Sequence, residues 1–172
     1  MYKAYDKLLQ YSLNLIAKRR YTSSQLERKM KQFFERERNR EKSIFFKNEI
    51  DHEKLKNEVL NRLTELNYLN DEQYAVDYMN SRSTFKPRGK FMLRNELLKK
   101  GVSKEIIEKA IIKVAPDELG MAKNLLETYV RKKNSLAPKK LRDKSFQYLA
   151  SKGFNPDTIY KCIESHYNPN VK

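Results

Sequence analysis

Apolar residues recur every three or four positions along almost the whole chain, the spacing of helices that each bury one face. Residues 4 to 20 carry Tyr5, Leu8, Leu9, Ser12, Leu13, Leu15 and Ile16 on one side and end in Lys18, Arg19 and Arg20. Those cations suit the negative end of a helix dipole. Thr22 with Gln25 three residues on is a capping box, opening a second helix with Leu26, Met30 and Phe33 or Phe34 on its apolar face. Asp51 caps a third, with Leu55, Val59, Leu60, Leu63 and Leu66. A corner follows at 66–75, where Asn70 and Gln73 form a second capping box and Asp71 and Glu72 occupy the first turn. Tyr68 and Leu69 are expected to be buried there, between the helical units that the corner joins.

The fourth helix is expected from Asp71 to about Arg82, with Pro87 and Gly89 marking the next turn. A basic fifth helix runs from about Lys90 to Lys100 and is stopped by Gly101. Ser103 caps a sixth, with Ile106, Ile107, Ala110, Ile111 and Val114 apolar, and Pro116 ends it. The seventh spans Asp117 to about Lys133, although Gly120 in its first turn would cost about 1 kcal/mol against alanine. Pro138 opens an eighth helix that ends at Gly153; Asn155 and Pro156 open a ninth, with Ile159, Cys162 and Ile163 on its apolar face.

One stretch breaks the pattern. Residues 35–49 alternate in charge sign between two aromatic pairs, Phe33-Phe34 and Phe45-Phe46. Either the second helix extends and a loop follows, the preferred reading, or a loop or short hairpin folds back so that the aromatic pairs meet.

The caps of the third, sixth and ninth helices stand in register. Ile50-Asp51, Val102-Ser103 and Phe154-Asn155 are 52 residues apart. Each cap is followed at equal offsets by an acid (Glu53, Glu105, Asp157) and two apolar residues (Leu55 and Val59, Ile107 and Ile111, Ile159 and Ile163). Such a period is the mark of stacked supersecondary units. The expected fold is all-α: three tandem three-helix, helix-turn-helix-like repeats at 4–69, 70–115 and 116–167, forming an elongated, curved array. The segment 35–49 is an insertion in the first.

Charge changes the picture next. Among 172 residues, 37 are Lys or Arg and 22 are Asp or Glu, a formal net charge of +15. The excess is spread over all three repeats, so it is not a basic tail. It implies attraction to something anionic, nucleic acid or an acidic protein surface. Two clusters occupy equivalent places in the repeat. Arg82, Lys86, Arg88, Lys90, Arg94, Lys99 and Lys100 are broken only by Glu96; Arg131, Lys132, Lys133, Lys139, Lys140, Arg142 and Lys144 only by Asp143. These are the candidate binding residues, expected to form one exposed stripe. Phe85 and Phe91 lie beside them and are expected to pack in the core rather than to stack on bases.

Little supports catalysis. The chain has no glycine-rich phosphate loop and no Cys or His spacing for a metal, so no enzyme, cofactor or metal site is expected. Cys162 reads as a small core residue, and His52 and His166 as surface residues. The opening is not that of a signal peptide and no apolar run is long enough to span a membrane, so a cytoplasmic monomer is expected.

Several motifs together resemble the RecX family of bacterial recombination regulators. The first is Leu13-x-x-x-Ala17-x-Arg19-x-x-Thr22-x-x-Gln25-Leu26-x-x-Lys29-Met30. The 66–75 corner is similar to that family's Leu-x-Gly-Tyr-Leu-Asp-Asp-x-x-Phe-Ala, with Asn67, Asn70 and Tyr74 as departures. Gly89-x-x-x-Leu93-Arg94-x-Glu96-Leu97-x-x-Lys100-Gly101-Val102 resembles a second-repeat motif, with Lys90 where proline is usual, and 144–154 a third. The resemblance implies a curved helical repeat protein that binds the RecA filament on single-stranded DNA and mainly inhibits its ATPase and strand exchange, without catalytic residues or cofactor. A stand-alone nucleic-acid-binding repeat or helix-turn-helix regulator is the alternative that charge alone supports.

Overall fold

The computed structural model describes residues 2–38, 40, 43–45, 50–133 and 135–168. The periodic stretches are helices: α1 (Tyr2–Ile16), α2 (Ser23–Arg38), α3 (His52–Glu65), α4 (Asp71–Phe85), α5 (Lys90–Lys99), α6 (Lys104–Val114), α7 (Glu118–Lys132), α8 (Pro138–Ser151) and α9 (Pro156–Tyr167). No strand occurs among the described residues. The fold is an all-α helical repeat.

Most predicted ends hold because their caps form. The Thr22 hydroxyl accepts from Gln25 N at 3.1 Å while Thr22 N donates to the Gln25 amide at 3.4 Å, a reciprocal box. Asp51 accepts from Lys54 N at 2.9 Å and Asn155 from Thr158 N at 2.7 Å. Gly120 is explained by its cap: the Asp117 carboxylate takes the Gly120 amide and fills the space a Cβ would need. Two ends differ from expectation. α1 stops at Ile16, so Lys18–Arg20 lie in the turn beyond it, with the Arg19 guanidinium 4.2 Å from the Tyr21 ring centre. α4 continues past Arg82 to Phe85, with the Ser83 and Thr84 hydroxyls donating to the carbonyls four residues back.

The 66–75 corner is a helix stop closed by the backbone. Asn67 takes a left-handed φ of 58°, Tyr68 N and Leu69 N both reach the Leu63 carbonyl, and Asn67 N reaches Thr64. This 6→1 and 5→2 pattern is a Schellman motif with Asn in the usual glycine position. It turns Leu69 into the core of α1–α3 but leaves Tyr68 55% exposed, so Tyr68 is not buried as expected.

The chain gathers into two compact units. One comprises Met1–Tyr74 with Lys100–Ser103. Its core is Leu8, Leu26, Met30, Leu55, Val59, Leu63 and Leu69. Phe45 returns to it, edge-on to Phe33 at 5.4 Å and Phe34 at 5.5 Å. Burial of one such ring is worth about 1.5–3 kcal/mol, which favours this contact. The insertion thus combines both readings: α2 extends to Arg38, and one aromatic of the second pair meets the first. Phe46 lies outside the described residues. Buried Glu37 ties the segment down, bonded to Lys7 at 2.8 Å, Arg40 at 2.7 Å and Ser43 at 3.1 Å. His52 is half-buried rather than on the surface, stacked on Phe34 at 4.7 Å with Nε2 3.1 Å from the Phe45 carbonyl.

The other unit comprises Ala75–Lys99 with Lys104–Lys172. Met121, Ala122, Leu126, Leu149, Phe154, Ile159, Cys162 and Ile163 form a core between α7, α8 and α9. Ala75, Met79, Leu93, Leu97, Ile107, Ala110 and Ile111 are the buried apolar residues of α4–α6 that belong to this unit. Cys162 is buried as expected, and burial pushes its thiol pKa up, which keeps it protonated.

Two joints of the same design recur, one in each unit. At the first, the N-terminus of α2 gives Ser23 N to Asp71 at 2.9 Å, and the Thr22 hydroxyl donates to the Lys100 carbonyl at 2.6 Å. At the second, the N-terminus of α5 gives Lys90 N to Glu118 at 2.8 Å and Gly89 N to the Lys152 carbonyl at 3.0 Å. The turn residue after each carbonyl is a glycine with positive φ, Gly101 (81°) and Gly153 (83°). A side chain at Gly101 would collide with Ser24, and one at Gly153 with the Met92 backbone.

Gly153→Ala is therefore expected to cost about 2 kcal/mol or more, from left-handed strain plus overpacking. Urea denaturation should show it as a lower midpoint with an unchanged slope. Acid titration tests Glu37. Burial alone would raise its pKa, but hydrogen bonds from Lys7 and Ser43 and the charges of Lys7 and Arg40 hold it below the ordinary 4.5. A depressed folded pKa gives stability that is present above pH 4.5 and lost as pH falls through the folded value. The stability gap between wild type and Glu37→Gln should narrow across that acid range.

Candidate partner-binding surface

α4 and α5 carry the first basic cluster, and its one acid organises much of it. Glu96 accepts the Tyr78 hydroxyl proton at 2.7 Å, and Arg82 Nε and a terminal nitrogen donate to that same hydroxyl oxygen at 3.0 and 2.9 Å. Arg82 Nε also lies 3.3 Å from Glu96, and Arg88 Nε 3.7 Å from its other oxygen. Burial and the bond to Glu96 push the Tyr78 pKa up, while the bond from Tyr78 raises that of Arg82. Both groups therefore stay protonated at any physiological pH.

Arg94 is also engaged. Its guanidinium straddles Glu108 of α6 with bonds of 2.6 and 2.8 Å, a bidentate fork that lowers the Glu108 pKa and raises its own. Lys90 belongs to the second joint: its amide donates to Glu118, and its ammonium lies 3.5 Å from the same carboxylate. Lys100 is half-buried, with its carbonyl in the first joint. Lys86 and Lys99 are exposed and make no ion pair among the described residues.

The second cluster stands more in solvent. Arg131, Lys132 and Lys133 at the end of α7, and Lys139, Lys140 and Lys144 on α8, are exposed without an ion pair among the described residues. Arg142 is paired with Glu164 of α9. Of the fourteen candidate cations, then, five hold internal carboxylates and eight project freely, while Lys100 is partly covered.

Phe85 and Phe91 do not pack in the core. Phe85, the last residue of α4, is 79% exposed and Phe91 64%. The buried line of α5 is Leu93 and Leu97, and Phe91 lies two residues, about 200°, from Leu93 on a helix of 3.6 residues per turn. The sequence signal was present in this angle, but a helix with apolar residues on both sides offers no way to choose which face is covered. Among the described residues no group of His, Cys, Asp and Glu could hold a metal.

Comparison with known proteins bears on what such a surface serves. Models of the second and third three-helix domains of RecX match residues 70–111 and 117–163. The chain is 33% identical over 154 residues to the regulatory protein RecX of Haemophilus influenzae (strain PittEE), covering 89% of this chain and 90% of that one. It is 27% identical over 167 residues to the regulatory protein RecX of Leuconostoc citreum (strain KM20), covering 94% of this chain and 55% of that one. The fold resembles the crystal structure of RecX from Lactobacillus salivarius with a TM-score of 0.78 at 22% identity, over 96% of this chain and 97% of that one.

The Arg94–Glu108 fork makes one prediction. Arg94→Glu sets two carboxylates face to face and should lower the thermal midpoint, followed by circular dichroism. Glu108→Arg in the same chain should restore most of the loss by reversing the pair. Equal midpoints for wild type and Arg94→Glu would mean the fork contributes nothing to stability.

Proposed function

Because the chain belongs to the RecX family of regulatory proteins, we propose that it binds the RecA filament on single-stranded DNA and modulates, mainly inhibits, its ATPase, strand exchange and filament growth. Its working units are the three repeats 4–69, 70–115 and 116–167, acting as a cytoplasmic monomer without cofactor or catalytic residues. The observation that carries the reading is the set of exposed, unpaired cations on α4–α5 and α7–α8 in a chain of net charge +15. A nucleoprotein filament is a polyanion with protein side chains on its surface, and a repeat fold suits an extended partner. Contacts to single-stranded DNA accompany the filament contact in this reading. No helix among the described residues is long and apolar enough to cross a membrane.

Phe85 favours a second reading. An exposed aromatic next to Lys86 can stack on an unpaired base, so direct single-strand binding by a stand-alone nucleic-acid-binding repeat is the alternative.

The RecA single-strand-dependent ATPase decides between them. Sub-stoichiometric protein should reduce the rate at moderate salt. No effect, together with tight binding to bare oligonucleotide, would discard the filament reading. Lys139→Glu with Lys140→Glu should weaken inhibition several-fold while changing stability by less than about 0.5 kcal/mol, since both side chains are exposed and unpaired.

A further inference from the structure

One side of α5 beside its buried line carries exposed apolar residues. Phe91, Arg94 and Leu98 are spaced three and four apart, so they stand on one side of the helix. Leu98 is 40% exposed. Arg94 is pinned to Glu108 of α6, and Ile112, one turn beyond Glu108, is 78% exposed. Three large apolar side chains thus surround one internally neutralised ion pair. An isolated exposed apolar residue needs no explanation, but such a group around a closed salt bridge has the composition of an interface core with its charge already matched.

We propose that this α5–α6 face docks an acidic protein segment that inserts apolar side chains between Phe91, Leu98 and Ile112. The inference rests on the filament reading above and assigns to it a contact that is not electrostatic at its centre. Two observations select the occupant. Leu98 and Ile112 are aliphatic and offer no stacking surface to a base, and the edge of Arg94 formed by Nε and one terminal nitrogen, which could grip a phosphate, is taken by Glu108. That argues for protein over nucleic acid. Lys99 and Lys113, both exposed, stand about 100° round their helices from Leu98 and Ile112, at the outer edges of this face, where they complement acidic flanks on the partner.

The test uses the full chain and RecA filaments assembled on oligo(dT) with a slowly hydrolysed ATP analogue. Phe91→Ser with Ile112→Ser replaces two exposed side chains, and far-UV circular dichroism checks that the helices persist; Ile112→Ser alone serves if the pair unfolds. The expected result is about a tenfold or greater loss of filament affinity. Binding to bare oligo(dT) and the salt slope of filament binding should be unchanged. If wild type binds the filament and the folded variant binds as well, this inference falls and the filament reading stands. If bare oligo(dT) binding drops in parallel, the face belongs to nucleic acid and the inference is overturned. If wild type does not bind the filament, both readings fall together.

Discussion

Much in this fold depends on satisfying the N-terminus of the middle helix in the first two repeats. A helix begins with backbone N–H groups that have no partner within it, and those groups carry the positive end of the dipole. α2 and α5 solve the problem in the same way. The first free amide goes to an acid at the start of a later helix, Asp71 or Glu118, and the cap residue reaches a carbonyl in a later turn, Lys100 or Lys152. The acceptors belong to the following repeat, so a repeat is incomplete without its neighbour. The same joint explains why compactness does not follow the repeats: residues Lys100–Ser103 and the start of α4 cluster with α1–α3 because they cap α2. The geometry leaves no room for a Cβ at the turn, which is why glycine stands at both 101 and 153.

Local chemistry made the helices legible. Thr22 with Gln25, Asp51, and Asn155 with Pro156 were readable as caps because a cap acts within three residues, and each makes its bond. The burial of Cys162 followed from its place on an apolar line. What failed was information held elsewhere in the chain. Glu37 and Lys56 are buried charges that each add to a local pair a partner about thirty residues away, Lys7 and Glu27, and no local pattern announces those distant pairs. Phe85 and Phe91 were placed inside by hydrophobicity alone, and Tyr68 by its place at the corner; whether an apolar side chain is covered is decided by neighbours that a periodicity does not name. The end of α1 was misplaced for a related reason: Lys18–Arg20 suit a helix terminus, but equally a turn stacked on Tyr21.

The candidate surface divides its cations largely by type, and the division has a physical cause. Arg82, Arg88, Arg94 and Arg142 hold carboxylates of the fold, as does Lys90 at its joint, whereas Lys86, Lys99, Lys132, Lys133, Lys139, Lys140 and Lys144, joined by Arg131, stand free in solvent. Guanidinium is planar and weakly hydrated, so its fork fits a carboxylate and tolerates partial burial; ammonium is a compact, strongly hydrated charge that gains little by leaving water. The sequence counts both alike, so a stripe drawn from it overstates the charge available to a partner. What remains is mostly lysine, a field that attracts polyanions from a distance and is screened by salt within about 10 Å at 0.1 M. Such a field speeds encounter and sets orientation more than it fixes a register. Register requires short-range complementarity, which a flexible ammonium supplies poorly and a rigid apolar side chain supplies well. Phe91, Leu98 and Ile112 are placed for that second task, around a guanidinium already committed to Glu108. Attraction by free lysines and alignment by an apolar face are separable contributions, because salt weakens the first and leaves the second.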